Sequence, residues 1–383
     1  MEALNAQGGD DCARFVGGCV RDALMGREAL DVDVATRLRP DQVVEAVEAA
    51  GLKAVPTGID HGTVTAVSRG RPFEITTLRR DVATDGRRAV VAFTDDWAQD
   101  AARRDFHLNA LYADASGQVF DPTGRGLDDA LAGRIVFVGD PHRRIVEDHL
   151  RILRFFRFFA WFGRGDPDAA GLAACAASAE GVDRLSAERV STEMLKLLAA
   201  PDPTVALRAM AEAGVLQRVL GCTGDLGRLG RVVHRSVDPL VRLSALWPDE
   251  PGFVAAAARR LRLPRTAWAR LEAAAIPLAL EGDADRAARR LIYEVGLETA
   301  CDRALKSGDR TASEAVLAMA ASWTPPRMPV GGRDVARLGV PPGPQTGLVL
   351  KSFEADWIAA DFPAEGVAER LAVAISRARG SEP

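Results

Sequence analysis

The sequence predicts an α+β chain in which a mixed sheet-and-helix N-terminal part is followed by an all-helical remainder. β-branched segments with period-two alternation are concentrated in roughly the first 125 residues. From about residue 126 onward, Ala-, Leu- and Arg-rich stretches with helical spacing take over, punctuated by prolines at 201, 203, 239, 248, 251, 264 and 277. The charge changes along a similar line: residues 1–130 hold 15 Lys and Arg against 22 Asp and Glu, whereas residues 131–383 hold 34 against 31. A chain of 383 residues, 48% hydrophobic and 27% charged, has ordinary globular composition and room for two or three domains.

Taken in order, Arg14–Val20 is a short apolar run ending at a glycine pair, and the VRDALMGR segment after it can start a helix. Asp31–Ala35 alternates charged and apolar residues as a half-buried strand does. Pro40–Ala50 has helical spacing behind a proline start, and Gly62–Ser68 and Arg71–Leu78 read as two further strands. Asp81–Arg88 is charged and turn-rich, which predicts a loop, and Trp97–Ala113 reads as a helix running into the apolar LNALYA. Beyond Asp121-Pro122-Thr123-Gly124 the spacing predicts helices over Glu147–Phe162, Ala187–Ala199, Thr204–Ala213 and Val367–Arg379. Pro325–Pro329 and Pro341–Pro344 mark a last turn-rich segment, and Gly331-Gly332-Arg333-Asp334 reads as a turn.

No apolar run approaches the roughly 20 residues that span a bilayer, so no membrane partner is expected. The N-terminus is acidic and polar, unlike a secretory signal. Five scattered cysteines without a CxxC pair predict reduced thiols, a cytoplasmic setting and no zinc site. The five histidines form no His-Asp dipeptide, so no metal phosphohydrolase module is expected. A net charge of −4 does not by itself point to nucleic acid.

The chemistry is concentrated near the N-terminus. Asp31 and Asp33 are two apart, so a strand would turn both carboxylates to one face, about 6.6 Å apart along the chain. Such a pair can hold Mg²⁺ ions for in-line phosphoryl displacement, although a DxD alone more often describes a solvated edge strand. Gly17 and Gly18 lie just upstream at a strand-to-helix turn, where the backbone can approach a phosphate chain, and Arg21 follows one turn later with a charge-assisted contact to offer. The spacing fits neither a dinucleotide fingerprint nor a P-loop. A glycine pair, an arginine and a DxD within 17 residues describe a nucleoside triphosphate with its metals.

These motifs resemble the tRNA nucleotidyltransferase/poly(A) polymerase family in its bacterial CCA-adding branch. GGCVRDALMGR with DVDVAT carries the first resemblance; His61-Gly62-Thr63-Val64 and FEITTLR follow it. Next come RRDFHLNAL (Arg103–Leu111), Asp121-Pro122 with Gly126-Leu127-Asp128-Asp129, EDHLRILRFFRF (Glu147–Phe158) and LSAERVSTEMLKLL (Leu185–Leu198). His107 and Met25 are small departures, standing where threonine and leucine are commoner. The resemblance implies a DNA-polymerase-beta-like nucleotidyltransferase head over 1–125, a helical base-recognising neck over 126–200, a helical body over 201–324 and a tRNA-binding tail over 325–383. It further implies template-independent addition of C, C and A to tRNA from CTP and ATP with Mg²⁺. A poly(A) polymerase, an enzyme making only part of CCA, or a non-catalytic RNA-binding module are the alternatives.

Within that frame Asp148 and Arg151 fall at i and i+3, which on one helix share a face, and Arg154 and Arg157 continue the row. An acceptor beside a donor complements the amino group and ring nitrogen shared by cytosine and adenine; an intrahelical ion pair is the other reading of the same spacing. Arg103 and Arg104 are expected to face the triphosphate or primer, with Asp105 and Asn109 bracing the site. Glu74, on a strand beside the DxD strand, is a possible third carboxylate. Glu188, Arg189 and Glu193 have helical spacing suited to orienting neck helices. Arginine clusters at 228/231/235, 259/260/262/265 and 286/289/290 are either a phosphate track or solvated helix faces.

Overall fold

The computed structural model describes residues 1–29, 31–85 and 88–380. Its N-terminal part runs α1 (Glu2–Gly8), β1 (Ala13–Val16), α2 (Gly18–Leu24), β2 (Asp33–Thr36), α3 (Pro40–Ala49), β3 (Lys53–Gly58), β4 (Thr63–Ser68), β5 (Arg71–Thr77), β6 (Arg79–Asp85), β7 (Arg88–Phe93), α4 (Trp97–Ala102), β8 (Tyr112–Ala113) and β9 (Val119–Phe120). Seven strands form one sheet in the order β3-β4-β5-β2-β1-β8-β9. Only β2 and β5 are parallel, with Asp33 opposite Glu74 and Thr36 opposite Thr77; the other pairs are antiparallel. Period-two alternation divides β2 between two cores. Val34 packs with Leu4, Val43, Val47 and Ile75 under α1 and α3, whereas Ala35 packs with Val16, Leu78, Trp97 and Tyr112 on the other face.

Several sequence expectations change here. Asp81–Arg88 is not a loop: β6 and β7 pair as an antiparallel ribbon, Arg79 opposite Phe93 and Asp85 opposite Arg88, while residues 86 and 87 lie outside the described residues. Backbone ladder hydrogen bonds join such a ribbon whatever its side chains, so its charged sequence conceals it. The helix expected over Trp97–Ala113 stops at Ala102. The Asp105 carboxylate accepts the Phe106 N–H at 2.9 Å, and Phe106 is extended and bridges to Phe137. A single 3₁₀ turn, His107–Asn109, then leads into β8. The polar N-terminus forms the short α1, anchored by the buried Leu4.

After Phe120 no strand is present among the described residues. Helices α5 (Gly126–Ala132), α6 (Pro141–Glu147), α7 (Leu150–Phe162), α8 (Ala169–Ala177) and α9 (Ala187–Leu198) follow. The expected helix Glu147–Phe162 is therefore broken. Asp148 is extended at φ −155° and ψ 106°, and its carboxylate accepts the Leu150 N–H at 3.0 Å. Local side-chain bonding of this kind competes with a continuous helix. Helix α7 buries Phe155, Phe156, Phe158 and Phe159. Phe106 reaches Phe158 at 5.2 Å between ring centroids, which ties the helix to the sheet-bearing part. Gly181 must be glycine, since a Cβ there would lie 1.7 Å from the His149 ring.

The chain divides into two compact units, Met1–Trp247 with Arg259–Leu263 and Pro248–Ala258 with Pro264–Pro383. The second unit is helical and holds an aromatic cluster of Tyr293, Trp357 and Phe362. Gly331 to Asp334, expected as a turn, starts the helix Gly332–Arg337, with the Asp334 carboxylate accepting the Gly331 N–H at 2.9 Å.

Candidate active site

The alternation in β2 and the β2–β5 register together place the acidic groups. Asp33 precedes Val34 and so falls on the face that carries Trp97 and Tyr112, and in-register pairing sets Glu74 beside it. Asp31 is exposed in the bend before β2 rather than inside a longer strand. Burial, the Glu74 carboxylate and Asp31 all push the Asp33 carboxyl above the usual range, with Arg104 opposing them. No group of three or more His, Cys, Asp and Glu side chains suited to a metal is present among the described residues. Mg²⁺ does not require one, because it is commonly held by one or two carboxylates completed by water and substrate phosphates. Asp31 and Asp33 fit such a hard cation as an all-oxygen donor pair whose mutual repulsion a divalent charge would relieve.

Beside the carboxylates, Gly17 follows β1 with φ +73°, its backbone N–H donating to the Leu111 carbonyl at 3.0 Å. A Cβ at this position would lie 3.4 Å from Arg104 Nη1. Positive φ is readily adopted only by glycine, so the turn into α2 at Gly18 depends on Gly17. Arg21, on α2, is buried. Its Nη1 donates to Asn109 Oδ1 at 2.7 Å and its Nε to Asp22 at 2.9 Å, and its guanidinium lies 4.0 Å from the Phe162 ring centre. Burial pulls its pKa below the ordinary arginine value.

From Asn109 the bonding continues inward. Asn109 Nδ2 donates to Asp105 Oδ1 at 3.0 Å, and Arg154 Nε donates to Asp105 Oδ2 at 2.8 Å. Burial alone would raise the Asp105 carboxyl, but Arg154, Asn109 and the Phe106 N–H outweigh it and hold it below the carboxylate range. One chain of buried hydrogen bonds thus runs from α2 through the 3₁₀ turn to α7. His107, on the same turn, is bonded through Nδ1 to Asp129 at 2.8 Å, and Asp129 also accepts from Arg134.

Asp100, which the motif reading did not single out, organises the adjacent arginines. Its carboxylate accepts from Arg103 Nε at 2.8 Å, Arg104 Nη2 at 3.0 Å and the Tyr112 hydroxyl at 2.7 Å. The i, i+3 and i+4 spacing across the end of α4 was the available signal. Burial would raise this carboxyl, but the arginines and Tyr112 hold it at about 2, against 3.8 ordinarily. Because the folded value is depressed, the network's stabilisation is complete above about pH 4 and is lost as pH falls through 2. At 1.36 kcal/mol per unit it amounts to about 2–3 kcal/mol. Denaturant melts at pH 5 and pH 2 are expected to show a loss larger by about that amount in wild type than in Asp100→Asn; equal losses would remove Asp100 from the pH response.

The break takes Asp148 out of α7, so Asp148 and Arg151 are not i and i+3 of one helix as expected; Arg151, Arg154 and Arg157 lie within α7. Nor do Asp148 and Arg151 form an intrahelical pair. Asp148 Oδ2 accepts from Arg189 Nη2 on α9 at 2.7 Å. Arg151 Nη1 donates to Glu147 at 2.6 Å and to the Arg144 carbonyl at 2.8 Å, and its Nη2 reaches the Arg103 carbonyl at 3.4 Å. Arg144, also missed, bonds Glu147 and the carbonyls of Arg103 and Arg104. Arg157 pairs with the buried Glu193, and Glu188 with Arg262 at 2.6 Å. Many of the distal arginines are likewise engaged: Arg228 with the Ala245 carbonyl, Arg260 with the Arg218 carbonyl, Arg289 with Asp361 and Arg290 with Glu294.

Residues 13–136 match the family described as Poly A polymerase head domain, and residues 168–221 that described as Probable RNA and SrmB- binding site of polymerase A. The chain is 32% identical over 366 residues to the mitochondrial CCA tRNA nucleotidyltransferase 1 of Danio rerio, covering 90% of this chain and 83% of that protein. It is 32% identical over 371 residues to the CCA-adding enzyme of Levilactobacillus brevis, covering 92% and 91%. The crystal structure of the Bacillus stearothermophilus CCA-adding enzyme in complex with CTP is similar at a TM-score of 0.77 and 27% identity, over 99% of this chain and 96% of that one.

Proposed function

The chain belongs to the CCA-adding tRNA nucleotidyltransferases, and from that premise we propose that it adds C, C and A in turn to the 3′ end of tRNA from CTP and ATP, releasing pyrophosphate each time. The observation that carries the reading is the Asp33–Glu74 register beside the Gly17 turn, within a chain matched over nine-tenths of its length. Asp31 and Asp33 are the residues that would hold Mg²⁺, which when bound supplies charge neutralisation for the phosphates and a lower pKa for the attacking hydroxyl. Gly17 and Gly18 leave room for a phosphate chain against the backbone. Arg103 and Arg104 are held by Asp100 at the edge of that space, and Arg21, fixed by Asn109 and Asp22, adds positive charge behind it. Glu74 adds negative charge at Asp33.

Asp148 and Arg151 present an acceptor and donors at the mouth of α7, with Arg154 and Arg157 behind them. Cytosine and adenine each display an amino donor next to a ring-nitrogen acceptor, whereas guanine and uracil display an oxygen next to an N–H. An acceptor–donor pair in protein therefore suits C and A without a nucleic-acid template. Incubating tRNA ending before CCA, after C and after CC with each labelled nucleotide tests this. Two C additions and then one A are expected, with affinity for tRNA falling steeply as salt rises. A ladder of A residues would assign a poly(A) polymerase instead, and arrest after CC a partial enzyme.

A further inference from the structure

A cleft of about 610 Å³ opens on the sheet-bearing part, lined by Arg37 and Arg39 from the β2–α3 connection, Arg80 from β6, and Phe93, Thr94, Asp95 and Gln99. Three arginines face one carboxylate, a local excess of positive charge in a region whose overall balance is acidic. All three are exposed. Arg37 is held in place, its Nε donating to the Asp95 carbonyl at 2.9 Å, and Arg39 lies 5.0 Å from the Phe93 ring centre. Neither Arg39 nor Arg80 forms an ion pair among the described residues. This sets them apart from Arg103, Arg104, Arg154 and Arg157, each neutralised by a carboxylate. Arginines without an ion-pair partner among the described residues, around an open cleft, suit a ligand that brings its own negative charge.

The cleft is separate from the carboxylate site. Arg37 follows the last residue of β2 and Asp33 is its first, so about 13 Å of extended chain lies between them. A phosphate in the cleft therefore belongs to a different group from one beside Asp33. We propose that Arg37, Arg39 and Arg80 form a second phosphate-binding site, which holds a backbone phosphate of the RNA strand whose 3′ end lies at Asp31 and Asp33. The inference rests on the proposed RNA substrate. The exposure of the three arginines favours a strand crossing the surface over an enclosed small anion.

The test is the Arg39→Gln/Arg80→Gln double variant of the full chain, with melting temperature confirming that it folds. Wild type adding nucleotides to tRNA establishes the substrate independently, so its failure to do so would be a failure of the proposed function and not of the cleft. Expected for the variant are a roughly tenfold weaker Kd and higher KM for tRNA, with KM for CTP and kcat at saturating tRNA unchanged. The slope of log Kd against log salt should fall by about 0.7–0.9, as for the loss of one phosphate contact. An unchanged tRNA Kd and salt slope in the folded variant would overturn the proposal. So would an unchanged tRNA Kd with weakened inhibition by pyrophosphate, which would assign the cleft to a free anion.

Discussion

Asp33→Ala is expected to lower nucleotidyl transfer about a thousandfold or more while leaving tRNA affinity within a few-fold of wild type. Charge neutralisation at a transferring phosphoryl group contributes several kcal/mol, and each 1.36 kcal/mol is a factor of ten in rate. Asp33 is the central carboxylate of its group, in register with Glu74 and two residues from Asp31. Removing it relieves repulsion on its neighbours, so the variant should fold at least as well as wild type, and a melting curve separates chemistry from stability. Asp31→Ala should behave similarly, and Glu74→Gln more mildly, since Glu74 adds charge without being needed in the donor pair. Chelating divalent cations from wild type should reproduce the Asp33 defect. Turnover retained in the Asp31/Asp33 double variant would end the assignment of these two residues to the metal.

Asp148→Ala should cost selectivity as well as rate. A hydrogen bond to an ionised partner contributes about 1.5–3 kcal/mol, so discrimination for CTP and ATP over UTP and GTP should fall roughly ten- to hundredfold. The structure adds a second, separable effect. Asp148 accepts the Leu150 N–H at the start of α7 and pairs with Arg189, so its loss should also destabilise the fold by about 1 kcal/mol through the missing cap. Specificity constants for all four nucleotides on one primer, measured beside the melting temperature, divide the two contributions. Arg151→Ala should impair both correct nucleotides together. A destabilised Asp148 variant with unaltered nucleotide ratios would make the residue a cap and brace only, and would place base selection elsewhere around α7.

What the sequence reveals of this site is what lies close together in the chain. Gly17, Arg21, Asp31 and Asp33 fall within one turn–helix–strand unit, and the alternation of β2 already assigns Val34 and Ala35 to opposite faces. The pairing of Glu74 with Asp33 follows from which strand neighbours β2. The mixed head and helical remainder were likewise visible in the change from period two to helical spacing. Long-range polar contacts were not. Asp148 leaves the helical path under local side-chain bonding, and its partner Arg189 comes from 41 residues away. Arg144 secures backbone carbonyls about 40 residues upstream, and a carbonyl has no signature in sequence. The β6–β7 ribbon was missed because its charged residues carry the composition of a loop.

The chain of bonds Arg21–Asn109–Asp105–Arg154 bears on how such proteins can be recombined. A chimaera spliced near residue 125 would take Asp105 from one parent and Arg154 from the other, so any drift in either partner would strand a buried charge at the join. A splice near residue 247 inherits all four residues from one parent. Exchangeable parts of this architecture are therefore bounded by where its buried charges are shared, and the sheet and its adjoining α7 travel as one heritable block.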